Sequence, residues 1–151
     1  MRITVASTVV FLLLALPSAR ALSSHDDLTT DAGLAQFEQR AEHAEAREQT
    51  YLYTELVQVY ILLAGKQIAA GEMDEANVTL KRIQHYAEKI HDGLAKNTKK
   101  LKDAEMMMHM ATYHLNQYMH TLSNDDKPTI ESTLKQLDKV HDELLAQVFA
   151  H

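Results

Sequence analysis

The chain has 151 residues, no cysteine, no tryptophan, four glycines and two prolines, and 21 acidic against 15 basic side chains for a net charge of −6. Thiol and disulfide chemistry are excluded, the turn formers are too few for a domain of many short strands, and the acidic balance argues against binding nucleic acid, which needs clustered Lys and Arg. A single all-α domain is the class that remains.

At the N-terminus, Arg2 precedes an apolar run from Ile3 to Leu16, followed by Pro17 and the small-residue tripeptide Ala19-Arg20-Ala21. These are the charged, apolar and cleavable parts of a secretory signal peptide spanning 1–21, with cleavage expected after Ala21. The protein is therefore expected to be secreted or periplasmic. The rival, an uncleaved anchor, is disfavoured because the run is shorter than the roughly 20 residues of a membrane span and no stop-transfer flank follows. Losing Arg2 and Arg20 takes the 15 basic residues to 13 against 21 acids, a balance of −8. About 130 residues are enough to bury one core without disulfides.

A polar leader, 22–30, ends at Thr30 or Asp31, either of which can cap a first helix over 31–70 with Leu34, Phe37, Ala41, Ala44, Leu52, Leu56, Val59 and Leu63 on one face. The register slips near Glu48, which reads as a stutter within a continuous helix. Gly71 is placed to close that helix in the left-handed conformation, and Asp74 to cap the next. From Met73 an apolar seam runs through Ala76, Leu80, Ile83, Ala87, Ile90, Leu94, Leu101, Ala104, Met108, Ala111, Leu115, Tyr118 and Leu122, interrupted at Asn97. It predicts one long helix over 74–122, about 74 Å at 1.5 Å per residue. Ser123 to Pro128 form a second turn, and Ile130, Leu134, Leu137, Leu144 and Val148 mark a third helix over 128–149. The expected fold is an elongated antiparallel three-helix coiled coil or bundle within 31–151. The alternative is a compact four-helix bundle with a break between Gly93 and Asn97, since glycine costs about 1 kcal/mol in a helix.

The hairpin from Leu62 to Ile83, with small residues at the contact and Gly71 at the turn, resembles a tetratricopeptide-type helical hairpin. No second copy follows at that repeat's period of about 34 residues, so a superhelix is not expected. More broadly, Leu52-Tyr53-Thr54-Glu55-Leu56, Ala70-Gly71-Glu72-Met73 and Lys99-Lys100-Leu101-Lys102 resemble segments of exported all-helical bacterial proteins with no assigned activity. That resemblance implies export and helices, and no site.

The segment Met106-Met107-Met108-His109-Met110 through His114, Met119 and His120 combines thioethers and imidazoles, ligands that favour copper. A helical wheel divides it. Met107, Met108 and Met119 fall on the seam as core filler, whereas Met106, Met110 and Tyr113 form an outward patch suited to a partner or a second copy. His141 lies between Leu137 and Leu144 on the third helix's apolar stripe, level with Met108 and Ala111 and, through the first hairpin, with Phe37. It reads as a core imidazole occupying the space left by Ala111, with a pH-sensitive brace or a soft-metal site of Met108, His109 and His141 as alternatives. Glu88-Lys89-Ile90-His91 and Asp138-Lys139-Val140-His141 have or nearly have the spacing of di-iron bundles, but Glu88 and His91 flank the seam and the two motifs are expected well apart along the bundle, so salt bridging is the expected role. Lys96, Lys99, Lys100 and Lys102 read as a solvated face. Asn77-Val78-Thr79 matches a glycosylation sequon inside a helix and reads as accidental.

No nucleophile elbow, phosphate loop, dinucleotide fingerprint or zinc-protease helix occurs, so no enzyme, catalytic residue or cofactor is expected. The function read from the sequence is an exported interaction or scaffold protein binding partners or itself through helix faces. The alternative is a periplasmic soft-metal binder using the Met and His residues of 106–120.

Overall fold

The computed structural model describes residues 28–96 and 99–150. The expected signal peptide, the expected leader up to residue 27 and Asn97 lie outside the described residues. The first helix begins where Thr30, in extended backbone, accepts the Gly33 N–H on its Oγ1 at 3.1 Å. This α1, Asp31–Glu42, buries Leu34, Phe37 and Ala41, spaced three and four apart on one stripe.

The expected continuous helix over 31–70 does not form. α1 stops at Glu42, and Glu45 in extended backbone starts α2, Ala46–Ala70. Gln49 Nε2 donates to the Glu42 carbonyl at 3.0 Å and to the Ala41 carbonyl at 3.4 Å, satisfying acceptors that the end of α1 leaves open. The slip read as a stutter is resolved by a break, after which each helix turns its own apolar stripe inward. α2 is the central element, with Tyr53, Leu56, Val57, Tyr60, Ile61 and Ala64 all buried. Burial around most of its circumference requires neighbours on several sides.

Gly71 adopts φ 78°, and the Gly71 and Glu72 N–H groups return to the Ile68 and Gln67 carbonyls at 3.0 and 2.9 Å. These paired bonds close α2 and reverse the chain. α3, Met73–Gly93, starts from Glu72 without a side-chain cap, so Asp74 sits in its first turn, where its charge complements the helix dipole. Ala76, Leu80, Ile83, Ala87 and Ile90 are all fully buried along it.

The long helix over 74–122 is likewise corrected. α3 ends at Gly93, a single 3-10 turn covers Leu94–Lys96, and α4, Leu101–Met119, begins after Lys100, which holds a left-handed φ of 55°. A 49-residue rod would leave its ends covered by one neighbour each, whereas a break lets both halves of the seam face one core. Gly93 meets α2 there: a Cβ added to it would lie 3.1 Å from Thr50 Oγ1. After the second turn, where Ser123 Oγ donates to Asp126 Oδ2 at 2.7 Å, α5 runs Lys127–Ala150.

Packing closes a ring: α2 lies against α3 and α4, α5 lies against α4 and α3, and α1 covers α2. Polar side chains bind the seams. Gln58 Nε2 donates to the Met107 carbonyl at 3.0 Å, Gln84 Nε2 to Thr133 Oγ1 at 2.8 Å, and Gln136 Nε2 to the Gln84 carbonyl at 3.1 Å. Gly65 of α2 gives Tyr118 of α4 its seat, since a Cβ would fall 2.4 Å from the Tyr118 ring. Among the described residues no helix is long and apolar enough to cross a membrane.

One buried hydroxyl is left over. Thr50 is 1% exposed and its Oγ1 has no hydrogen-bond partner. Thr50→Val keeps the shape and removes the desolvated group, so it should raise unfolding free energy by about 1 kcal/mol. Urea denaturation with an unchanged or lower midpoint would show that the hydroxyl is satisfied in solution.

Candidate binding face on the fourth helix

On α4 the burial follows the wheel. Met108 is 0% exposed and packs with Ala104, Ala111 and Leu115, whereas Met106, Met110 and Tyr113 are 58%, 41% and 55% exposed. Their spacing of four and three sets them in one outward stripe. The stripe runs between two clefts. Where α4 meets α5, Tyr113 borders a cleft of about 290 Å³ with His109, Asn116, Leu134 and Asp138. Where α4 meets α2, Met110 borders one of about 300 Å³ with Gln58, Leu62 and His114. Tyr113 also meets the His114 ring edge-on at 5.6 Å.

The proposed ligand trio divides. His109 and His141 approach to 5.4 Å between ring centroids, but Met108 is enclosed in the core. His141 is not the core imidazole expected: its side chain is 18% exposed and its Nε2 lies 2.9 Å from Glu105 Oε1 on α4. Val140, Leu137 and Leu144 take the inward positions of α5 instead, leaving His141 at the edge of the α4–α5 seam. The shared layer of Phe37, Met108 and His141 does not form, because α1 packs on α2 and not on α5. His91 Nδ1 pairs with Glu143 Oε2 at 2.7 Å, a salt-bridging role across α3 and α5. Among the described residues no three His, Asp or Glu side chains converge on a point that could hold a metal.

Two lysines of the basic cluster reach α2, while Lys96 and Lys102 are exposed. Lys99 pairs with Glu48, lowering the carboxyl's pKa through that hydrogen bond and charge, and Lys100 Nζ sits 4.3 Å from the Tyr51 ring centroid. Asn77 lies within α3 with its Oδ1 buried and unpartnered, a poor acceptor for a glycan.

Sequence reasoning missed a polar network under α1. Glu38 accepts the Tyr60 hydroxyl, Arg82 Nη1 approaches the same carboxylate at 3.2 Å, and the Tyr86 phenol feels its charge. Tyr60 and Tyr86 are 5% and 2% exposed, and their rings stack at 5.9 Å with Tyr53 tilted against Tyr86 at 5.6 Å. A cavity of about 450 Å³ lies over the network between α1, α2 and α3, but Glu38's carboxylate already pairs within its own chain. The available signal was three tyrosines facing a helix that carries an acid among its apolar positions.

Burial first, then the Glu38 carboxylate, push both tyrosine pKa values well above the ordinary 10.0. The folded chain therefore keeps protons that the unfolded chain loses above about pH 10, so stability falls as pH rises beyond that point. Each phenol adds up to about 1.4 kcal/mol per pH unit to the slope. Tyr60→Phe or Tyr86→Phe should each flatten the alkaline limb; urea midpoints with an unchanged slope would remove that linkage. Comparison with known proteins finds no family model, curated protein or solved structure that matches this chain.

Proposed function

We propose that this is an exported binding or scaffolding protein that works through the outward face of α4, taking a protein partner or a second copy of itself, without catalysis. The observation that carries the reading is the stripe of Met106, Met110 and Tyr113, three large side chains left 41% to 58% exposed along one face of a single helix. Each such side chain, once covered, contributes on the order of 1.5–3 kcal/mol, and the flanking clefts offer relief into which a partner's side chains fit. The resemblance of the first hairpin to tetratricopeptide-type hairpins and of the chain to exported helical proteins supports the same reading. The signal-like segment, Arg2 to Ala21, supports export. In this reading α2 to α5 form a compact four-helix bundle, with α1 as a strap across α2.

The test is the triple substitution Met106→Lys, Met110→Lys and Tyr113→Lys, all at exposed positions that leave the core intact. Light scattering and crosslinking of the exported protein should show the wild type associating with itself or a partner and the variant failing to do so. An unchanged mass and crosslinking pattern would discard the face.

A second reading, a metal-binding protein using the Met and His residues of 106–120, is favoured by the approach of His109 to His141 at 5.4 Å. Enclosure of Met108 removes the thioether from the trio of Met108, His109 and His141 and leaves it the two imidazoles.

A further inference from the structure

We infer that Glu105 and His109 of α4, with His141 of α5, form a site for a borderline divalent cation of the Zn2+, Cu2+ or Ni2+ class, with Asp138 at its rim. The inference rests on the metal-binding reading and replaces its soft ligand set by nitrogen and oxygen donors.

Two helices supply the donors through their local spacing. Glu105 and His109 are four residues apart, so they project from one face of α4 one turn apart, and Asp138 and His141 do the same at a spacing of three on α5. The antiparallel turn at 120–126 brings the two faces into register. His141 Nε2 is 2.9 Å from Glu105 Oε1, and His109 shares a cleft with Asp138. Two imidazoles bound tetrahedrally at about 2.1 Å hold their ring centroids roughly 5 Å apart, close to the 5.4 Å seen here. The three donors do not yet meet at one point. Bringing them together asks the exposed His109 ring to rotate, a motion that surface side chains make in picoseconds to nanoseconds.

The donors also set the ion class. Imidazole and carboxylate suit Zn2+, Cu2+ and Ni2+, whereas copper(I) prefers thiolate and thioether. The ligands must bind as neutral imidazole and ionised carboxylate, so affinity should fall on acidification.

Calorimetric titration of the untagged exported chain with Zn2+, Cu2+ and Ni2+ tests the site, with circular dichroism confirming the fold of each variant. We expect one ion per chain at micromolar or tighter affinity. His109→Ala, at an exposed position, and Glu105→Gln should each weaken binding by about tenfold or more. Met108→Leu should leave it unchanged. Imidazole nitrogen shifts of His109 and His141 on adding Zn2+ provide a readout that does not depend on affinity. Binding retained in the His109→Ala, His141→Gln double variant overturns this site but spares the broader metal reading, as does binding abolished by Met108→Leu. No binding of any of the three ions overturns both.

Discussion

Glu38→Ala should lower unfolding free energy by about 3 kcal/mol, because it takes the acceptor from an enclosed hydroxyl and the counter-charge from Arg82 at once. Tyr60 donates to this carboxylate and Arg82 approaches it, so truncation leaves an enclosed hydroxyl without its acceptor and Arg82 without its counter-charge. The Tyr60 exposure of 5% leaves little water to take the carboxylate's place. The same residue is α1's polar tie to α3, because α1 otherwise packs on α2 alone. Amide exchange should therefore quicken across Asp31–Glu42 more than across α2 to α5. A double variant that adds Tyr60→Phe to Glu38→Ala removes the orphaned hydroxyl and should recover part of the loss. A urea midpoint unmoved by Glu38→Ala, or α1 exchange unchanged, would show that the network holds nothing in place.

Met108→Lys should be worse still, abolishing cooperative folding or costing about 4 kcal/mol or more, while Met106→Lys should cost less than about 0.5 kcal/mol. The two methionines are two residues apart on one helix, yet one is 0% exposed and the other 58%. At Met108 an ammonium would replace a fully enclosed thioether in the core that holds Ala104, Ala111 and Leu115. At Met106 the same ammonium remains in water. Thermal and urea unfolding of the pair separates a core methionine from a surface one. Similar losses at both positions would mean that the outward face of α4 is already covered within the chain.

The seam that decides the fate of Met108 was legible as a pattern of threes and fours, and so was the outward stripe of Met106, Met110 and Tyr113. Periodicity reports which side of a helix is apolar because the side chains of one turn are fixed relative to each other. It does not report where the chain stops being one helix. Near Glu48 the register slip allowed a stutter or a break, and between Gly93 and Lys100 glycine and the polar linker allowed a rod or a turn. In each case local preferences differ by only about 1 kcal/mol per residue, less than the burial of a single large side chain. His141 shows the same limit from the other side. Its place in the stripe suggested the core, but Val140 turns inward and leaves the imidazole at the seam's edge beside Glu105.

What the amino-acid sequence determined by itself is the all-helical class, the closure of α2 by Gly71, the turn before α5 and the inward and outward faces of α1, α3 and α4. Those follow from spacing and backbone chemistry that act within a few residues. Tertiary structure alone decided that the long seam is shared between α3 and α4, that α1 folds as a separate strap, and that Glu38 meets Tyr60 while His141 meets Glu105. These depend on contacts between residues 22 to 36 positions apart, and only the closing of a common core determines which of several nearly equal local choices the chain takes.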